Sequence, residues 1–227
     1  MTTGMTMCTA IPIPMIDRGG DADLLTLTQW LSPAFPVGGF AYSHGLEAVI
    51  AAGEVRNAAG LEQWLGDVIA RGAGRADAVL LVAAMAGLAG LGDLARALAP
   101  SRERWEETIA QGRAFTEAVN ALTGSDWSPE ALPLAVGRAA ATLSLSPERV
   151  AGLYLHAFAS NLVSGAVRFI PLGQTDGQKV LGGLHPLILS VAGEAVRLAP
   201  EEITSGVPGA DLAAMAHEVM DVRIFRT

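Results

Sequence analysis

Residues 32–47 read Ser32-Pro-Ala-Phe-Pro-Val-Gly-Gly-Phe-Ala-Tyr-Ser-His-Gly-Leu-Glu47. Pro33 and Pro36 fix φ, and Gly38-Gly39 admits positive φ or a close backbone approach. A solvated spacer would be polar. This one carries Phe35, Val37, Phe40 and Tyr42, so it must pack against something. Ordering such a turn costs backbone entropy, which is offset only if the turn builds a defined surface. Apolar helical patterns flank it on both sides. The chain is thereby committed to helices folded against a rigid, partly apolar turn.

Those patterns recur along the rest of the sequence. Met1 to Gly20 has no period and reads as a flexible leader; residues 21–227 read as one domain. Asp21 and Asp23 offer an N-cap to a helix near Leu24–Leu31, which Pro33 stops. Ser43 can cap a helix carrying Leu46, Val49 and Ile50. Asn57 can cap the next, where Leu61, Trp64, Leu65, Val68 and Ile69 share one face and Gly72 ends the run. Asp77 opens a helix that is apolar all round and so reads as central. Another spans about Ser101 to Leu122, with Gly124 beyond. Ser128-Pro129-Glu130 and Ser146-Pro147-Glu148 each combine a capping hydroxyl, Pro at N1 and an acid in the first turn. The second launches a continuous stripe: Val150, Leu153, Tyr154, Ala157, Phe158, Asn161, Leu162, Gly165, Ala166 and Phe169, stopped by Pro171. Further helices fall near Thr175–Leu184, Pro186–Leu198 and Pro208–Asp221. No convincing period-2 strand appears. The expected fold is all-α: a compact bundle of about eight to ten helices in a single domain.

Composition narrows the function classes. The net charge is −8, and Lys179 is the only lysine. No basic stripe exists to neutralise phosphates, which argues against nucleic acid. The hydrophobic fraction is 51%, much of it Ala, and mean hydropathy is +0.38, an excess that points to close helix packing and to interfaces. The longest apolar run, Ala78 to Gly92, is too short and too rich in Ala and Gly for a membrane span. A lone Cys8 and the lack of a signal-peptide pattern suit the cytoplasm.

Candidate chemistry is sparse. Ala41-Tyr-Ser43-His-Gly45 resembles a loosened nucleophile elbow, which would make Ser43 the centre of a serine hydrolase. The elbow needs a strand before the Ser, and Pro36 to Phe40 is a poor strand. Ser43 reads better as a helix cap. Gly173-Gln-Thr-Asp-Gly-Gln-Lys179 lacks phosphate-loop spacing and the Ser/Thr for magnesium, so it reads as a turn between helices. His44, His156, His185 and His217 show no i, i+3 or i+4 pairing, so no metal site is expected within the chain. Asn161 interrupts an apolar stripe and must find partners if buried, in a neighbouring loop, in the Gln174-Thr175 turn or on a partner surface. The final residues alternate apolar and basic: Val222, Ile224 and Phe225 with Arg223 and Arg226. Such an end can dock on a partner's carboxylate or phosphate, or fold back on the protein's own acidic surface.

Three blocks together resemble the UreF family of urease accessory proteins. They are Ser32 to Glu47; Asn161 to Gln178 with Ala166-Val-Arg-Phe-Ile-Pro-Leu-Gly-Gln-Thr-Asp-Gly-Gln178; and Ala216-His-Glu-Val-Met-Asp-Val-Arg-Ile-Phe-Arg-Thr227. Their order and spacing match the family from Leu24 onward. His44 departs from a more usual Gln, and Met220-Asp221-Val222 from a more usual Tyr-Ser-Arg-like approach. The resemblance implies an all-helical, dimeric, non-enzymatic protein. Its partners would be the accessory protein UreD (also called UreH) and the GTPase UreG, in an assembly that loads nickel into apo-urease as GTP is hydrolysed. It implies no cofactor bound by this chain alone: nickel and GTP are handled by the complex. By position, Tyr42 and Arg223 match family residues implicated in contact with UreG, and the tail matches a region implicated in binding UreD. The expected partner-binding set is therefore Tyr42, Phe40, His44, Glu47, Arg223, Phe225 and Arg226. The expected structural turns use Pro33, Pro36, Gly38, Gly39, Asn161, Pro171, Gly173, Gln174, Thr175 and Gly177.

Overall fold

The computed structural model describes residues 18–204 and 206–227. The leader, with Cys8, falls almost entirely outside the described residues. Eleven α-helices and two 3-10 turns account for the regular structure, with no strand among the described residues. Setting aside the two shortest helices, α2 (Leu46–Ala51) and α5 (Leu91–Ala97), the count agrees with the expected eight to ten. The remainder are α1 (Arg18–Trp30), α3 (Ala58–Arg71), α4 (Ala73–Met85), α6 (Arg102–Thr123), α7 (Leu132–Ala140), α8 (Pro147–Ala166), α9 (Gln174–Gly183), α10 (His185–Ala195) and α11 (Pro208–His217).

Helix α4 is the hub, packed by α3, α7, α8 and α10. Its Ala-rich surface lets neighbours come close. At the crossing with α7, a Cβ added to Gly137 would lie 2.4 Å from the Leu81 carbonyl oxygen, so only glycine fits there. Two large apolar clusters meet along α4 and α8. One holds Leu61, Leu65, Ile69, Leu155 and Leu162; the other holds Leu27, Trp30, Phe35, Phe115 and Val150. Phe35 packs its ring 5.6 Å from Phe115, so the Pro-rich turn is anchored in the core.

Locally written signals hold. Asn57, Ser101 and Ser146 each accept a first-turn N–H with the side chain, and Gly124 ends α6 in the left-handed conformation. Four expectations fail, each for a tertiary reason. Helix α1 begins at Arg18, so Asp21 sits in its first turn, and Asp23 instead accepts the Ser144 N–H at 2.7 Å. Asp77 does not open α4; it lies within the helix and receives the Tyr154 hydroxyl at 2.9 Å. The start signal at Ser128-Pro129 is not used. Asn120 holds the Trp127 backbone through both amide atoms, which keeps the segment extended until Leu132. Lastly, α11 ends at His217 rather than near Asp221, because the chain turns back there.

Candidate functional site

The signature turn supplies the site's floor. Gly38, at φ +69°, leads into a 3-10 turn over Gly39–Ala41. A Cβ on Gly39 would lie 3.0 Å from the Asn161 amide nitrogen, so α8 rests on the turn at this point. Asn161 thus meets the first sequence block. His44 (φ +55°) and Gly45 (φ +79°) are consecutive left-handed residues. The conformation is costly for a histidine and persists only where its surroundings over-determine it. A Cβ on Gly45 would come 2.7 Å from the Ala214 nitrogen, so α11 lies directly on this corner.

The C-terminal segment completes the site by folding back onto it. Glu47, on α2, accepts the backbone N–H groups of Ile224 and Phe225, each at 2.9 Å. Burial pushes the Glu47 carboxyl up, but those N–H groups and His217 more than offset it and hold it below the usual range. His217 is 0% exposed. It bridges two carboxylates, with Nε2 3.1 Å from Glu47 and Nδ1 2.8 Å from Glu103. Glu103 also accepts from Arg223 at 2.5 Å. The Arg226 N–H donates to the Ala41 carbonyl at 2.8 Å, and the Phe225 ring meets Phe169 at 5.1 Å. Ser43 donates its backbone N–H (2.7 Å) and its hydroxyl to the same Thr227 main-chain oxygen. Its oxygen accepts the Glu47 N–H at 3.3 Å, the expected first-turn bond, although Gly45 rather than Ser43 leads into α2. Ser43 is buried, follows a 3-10 turn rather than a strand, and serves as an anchor for the tail. Of the two readings of the basic tail, the structure adopts the one in which it folds back on the protein's own acids.

Beneath the tail lies a buried charge cluster. Arg104 and Glu107, neighbours on α6, form an ion pair. Glu107 also meets His44 Nε2 at 2.8 Å, the Gln111 amide at 2.9 Å and the Thr227 hydroxyl at 2.7 Å. Burial works against this carboxylate, yet Arg104 and His44 hold its pKa down to about 2. Burial, and after it Arg104, also hold His44 below the ordinary imidazole value. His44 Nε2 thus lies between Glu107 at 2.8 Å and the Arg104 guanidinium at 3.2 Å, and its buried Nδ1 has no partner among the described residues. Phe158 holds the ring edge-on at 4.7 Å. A cavity of about 70 Å³ separates this cluster from Asp77, Tyr154 and Asn161.

Burial raises Asp77 from 3.8 to about 6. An acid raised in the folded state opposes folding above its folded pKa, and the penalty vanishes below its unfolded one. Asp77→Asn, which keeps an acceptor for Tyr154, is accordingly expected to gain on the order of 2 kcal/mol above pH 7. The gain should fade as pH falls from about 6 towards 3.8. Thermal unfolding of both proteins across that range measures it, and a pH-independent difference would show that folding does not raise the Asp77 pKa.

The expected partner-binding residues divide by exposure. Phe40 (68% exposed), Arg223 and Arg226 face solvent, whereas Tyr42 (8%), His44, Glu47 and Phe225 are inside. Among the expected turn residues, Gly173 precedes α9, Gln174 and Thr175 begin it, and Gly177 is buried against Val163 and Val167. Pro171 follows the Ala166 end of α8, beyond a short turn. Sequence reading missed Glu103, Arg104, Glu107 and the bridging role of His217. Acids and Arg at i, i+3 and i+4 on α6 are visible in the sequence, but that pattern is the same on a solvated face. Nor did spacing reveal that His156 and His185 meet, with ring centres 5.4 Å apart. No group of three or more metal-ligating side chains is assembled among the described residues.

Fold and site together define an all-helical protein whose central charges hold its own tail against a rigid turn. Comparison with known proteins makes this specific. A family model described as UreF matches residues 55–185. The urease accessory protein UreF of Cereibacter sphaeroides (strain ATCC 17025 / ATH 2.4.3) is 58% identical over 206 residues, covering 90% of this chain and 98% of the relative. The UreF of Jannaschia sp. (strain CCS1) is 51% identical over 214 residues (93% and 97%), and that of Roseobacter denitrificans 47% over 207 residues (89% and 93%). The chain belongs to the UreF family of urease accessory proteins. No helix among the described residues is long and apolar enough to cross a membrane.

Proposed function

We propose that this chain is a non-enzymatic scaffold of urease maturation. It joins a UreD/UreH-like accessory protein to a UreG-like GTPase and presents both to apo-urease in the cytoplasm. It works as a homodimer, modulates the GTPase cycle, and leaves nickel and GTP to the complex as a whole.

One observation carries the reading. Tyr42 and Arg223, far apart in sequence, line a single open recess of about 460 Å³ together with Glu103, Glu106, Arg226 and Thr227. The docked tail closes one side of that recess and the signature turn the other. A surface built from two elements is lost when either moves, which suits a scaffold that must report its own assembly. Beside it, Leu212, Met215 and Val219 follow i, i+3, i+7 spacing, and with Val222 and Ile224 they are exposed. These exposed apolar side chains of α11 and the tail support a protein partner of apolar character.

Exposed residues make the cleanest probes, because their loss leaves the core intact. Phe40→Ala and Arg226→Ala are expected to fold like the parent and to recruit less UreG-like GTPase. The assay is a pull-down with the cognate UreD and UreG, with and without GTP. Tyr and Arg dominate interface hot spots, and an anchor of this kind is worth about 2 kcal/mol or more when truncated. If both variants recruit the GTPase normally, the binding surface lies elsewhere.

A further inference from the structure

Two of the four histidines have no part in holding the tail. His156 projects from the middle of α8, and His185 begins α10. The packing of these helices against one another sets the two rings with centres 5.4 Å apart and planes inclined by 47°. His156 is half-buried and His185 exposed, so the pair opens to solvent. Among the described residues, neither imidazole hydrogen-bonds a protein group.

The spacing matches what a shared ion would impose. With a metal–nitrogen bond of about 2.1 Å, each ring centre lies about 3.2 Å from the metal, so two imidazoles at a tetrahedral angle have centres about 5.2 Å apart. The observed separation is 5.4 Å.

We propose that His156 and His185 form a two-imidazole site for a borderline divalent transition-metal ion of the nickel, copper and zinc class. Calcium and magnesium prefer oxygen ligands and are excluded by the donor type. Two protein ligands leave the remaining positions to water, so the ion exchanges readily. A structural site, by contrast, would be closed by four ligands. The site sits on the α8–α10 surface, away from Glu47, Glu103 and Glu107, and neither depends on the tail nor requires the scaffold function proposed above.

The test uses the full chain without a purification tag and Ni²⁺ alone as the probe. Calorimetry in a non-coordinating buffer reads affinity, and proton NMR of the imidazole C2–H signals reads location through paramagnetic broadening. Saturable binding is expected, with the signals of His156 and His185 broadening first and those of His44 and His217 unchanged. His185→Ala, at an exposed position, and His156→Gln should each weaken binding by about tenfold or more, and excess Mg²⁺ should not compete. Circular dichroism confirms that the variants remain folded. Equal Ni²⁺ binding by the parent and by the His156→Gln and His185→Ala variants, broadening centred on other residues, or no saturable binding would overturn the site. None of these results bears on recruitment of the GTPase, which the pull-down reads separately.

Discussion

Arg104→Met is expected to destabilise the protein by about 3–5 kcal/mol, the usual cost of stranding one member of a buried ion pair. For a chain of this size that lowers the thermal midpoint by roughly 10 °C. The side chain of Glu107 is 2% exposed, and Arg104 is the first of the neighbours that hold its charged form. Methionine keeps the stem of Arg104 and removes the charge, so packing changes little. Two further results follow from the same physics. Adding Glu107→Gln should recover part of the loss, because the stranded charge goes with it while an acceptor remains for Thr227 and His44. The pH dependence should also reverse in sign. In the parent, the Glu107 pKa lies near 2, so its contribution is present at neutral pH and is lost as pH falls from 4.5 towards 2. In Arg104→Met the lone buried carboxyl titrates above its unfolded value, so stability rises as it takes up a proton. Equal stability of the single and double variants would show that the pair contributes nothing beyond packing.

That cluster also marks the limit of what the sequence discloses. Helix ends written by contiguous residues are legible, as with Ser146-Pro147, Asn57 and Gly124, because the cap and the groups it satisfies lie within one turn. The Gly38-Gly39 pair was legible for the same reason: one glycine takes positive φ and the other admits Asn161. Ser128-Pro129 carried as good a local signal and failed. Gly112 lets the Glu130 carbonyl approach α6 so closely that a Cβ would stand 1.9 Å from it, and the connecting segment lies flat there instead of coiling. The site depends on longer range still. Glu47, Glu103, His217 and Arg223 come from α2, α6, α11 and the tail, and no periodicity relates them. Two of the three blocks named by the resemblance converge in the fold, where Tyr42 and the tail line one recess. It could not show that Tyr42, His44 and Glu47 lie inside. An alternating tail of apolar and Arg residues reads alike whether its acids belong to a partner or to its own chain.

Glu47→Ala is expected to release the tail while leaving most of the helical core folded. The substitution removes the acceptor for the Ile224 and Phe225 N–H groups and one of the two carboxylates that bridge His217. A donor left unsatisfied in the interior costs about 1–3 kcal/mol, so the docked state loses several such contributions at once. The tail has a cheaper alternative to enduring them, because undocking returns its N–H groups to water. The loss is therefore capped by the free energy of docking and need not reach that of global unfolding. Hydrogen exchange should show this directly. Protection should fall at Ser43, Ile224, Phe225 and Arg226, whose N–H groups bond across the turn–tail junction, and persist along α4 and α8. Arg223→Ala is the contrasting case. Its side chain is 39% exposed, so losing its bond to Glu103 should cost less than about 1 kcal/mol and leave tail protection in place. Because the recess is walled by turn and tail together, Glu47→Ala should also lose GTPase recruitment despite Glu47 being buried. If exchange instead accelerates throughout α4 and α8, the tail belongs to the same cooperative unit as the core and cannot act as a separately docked segment.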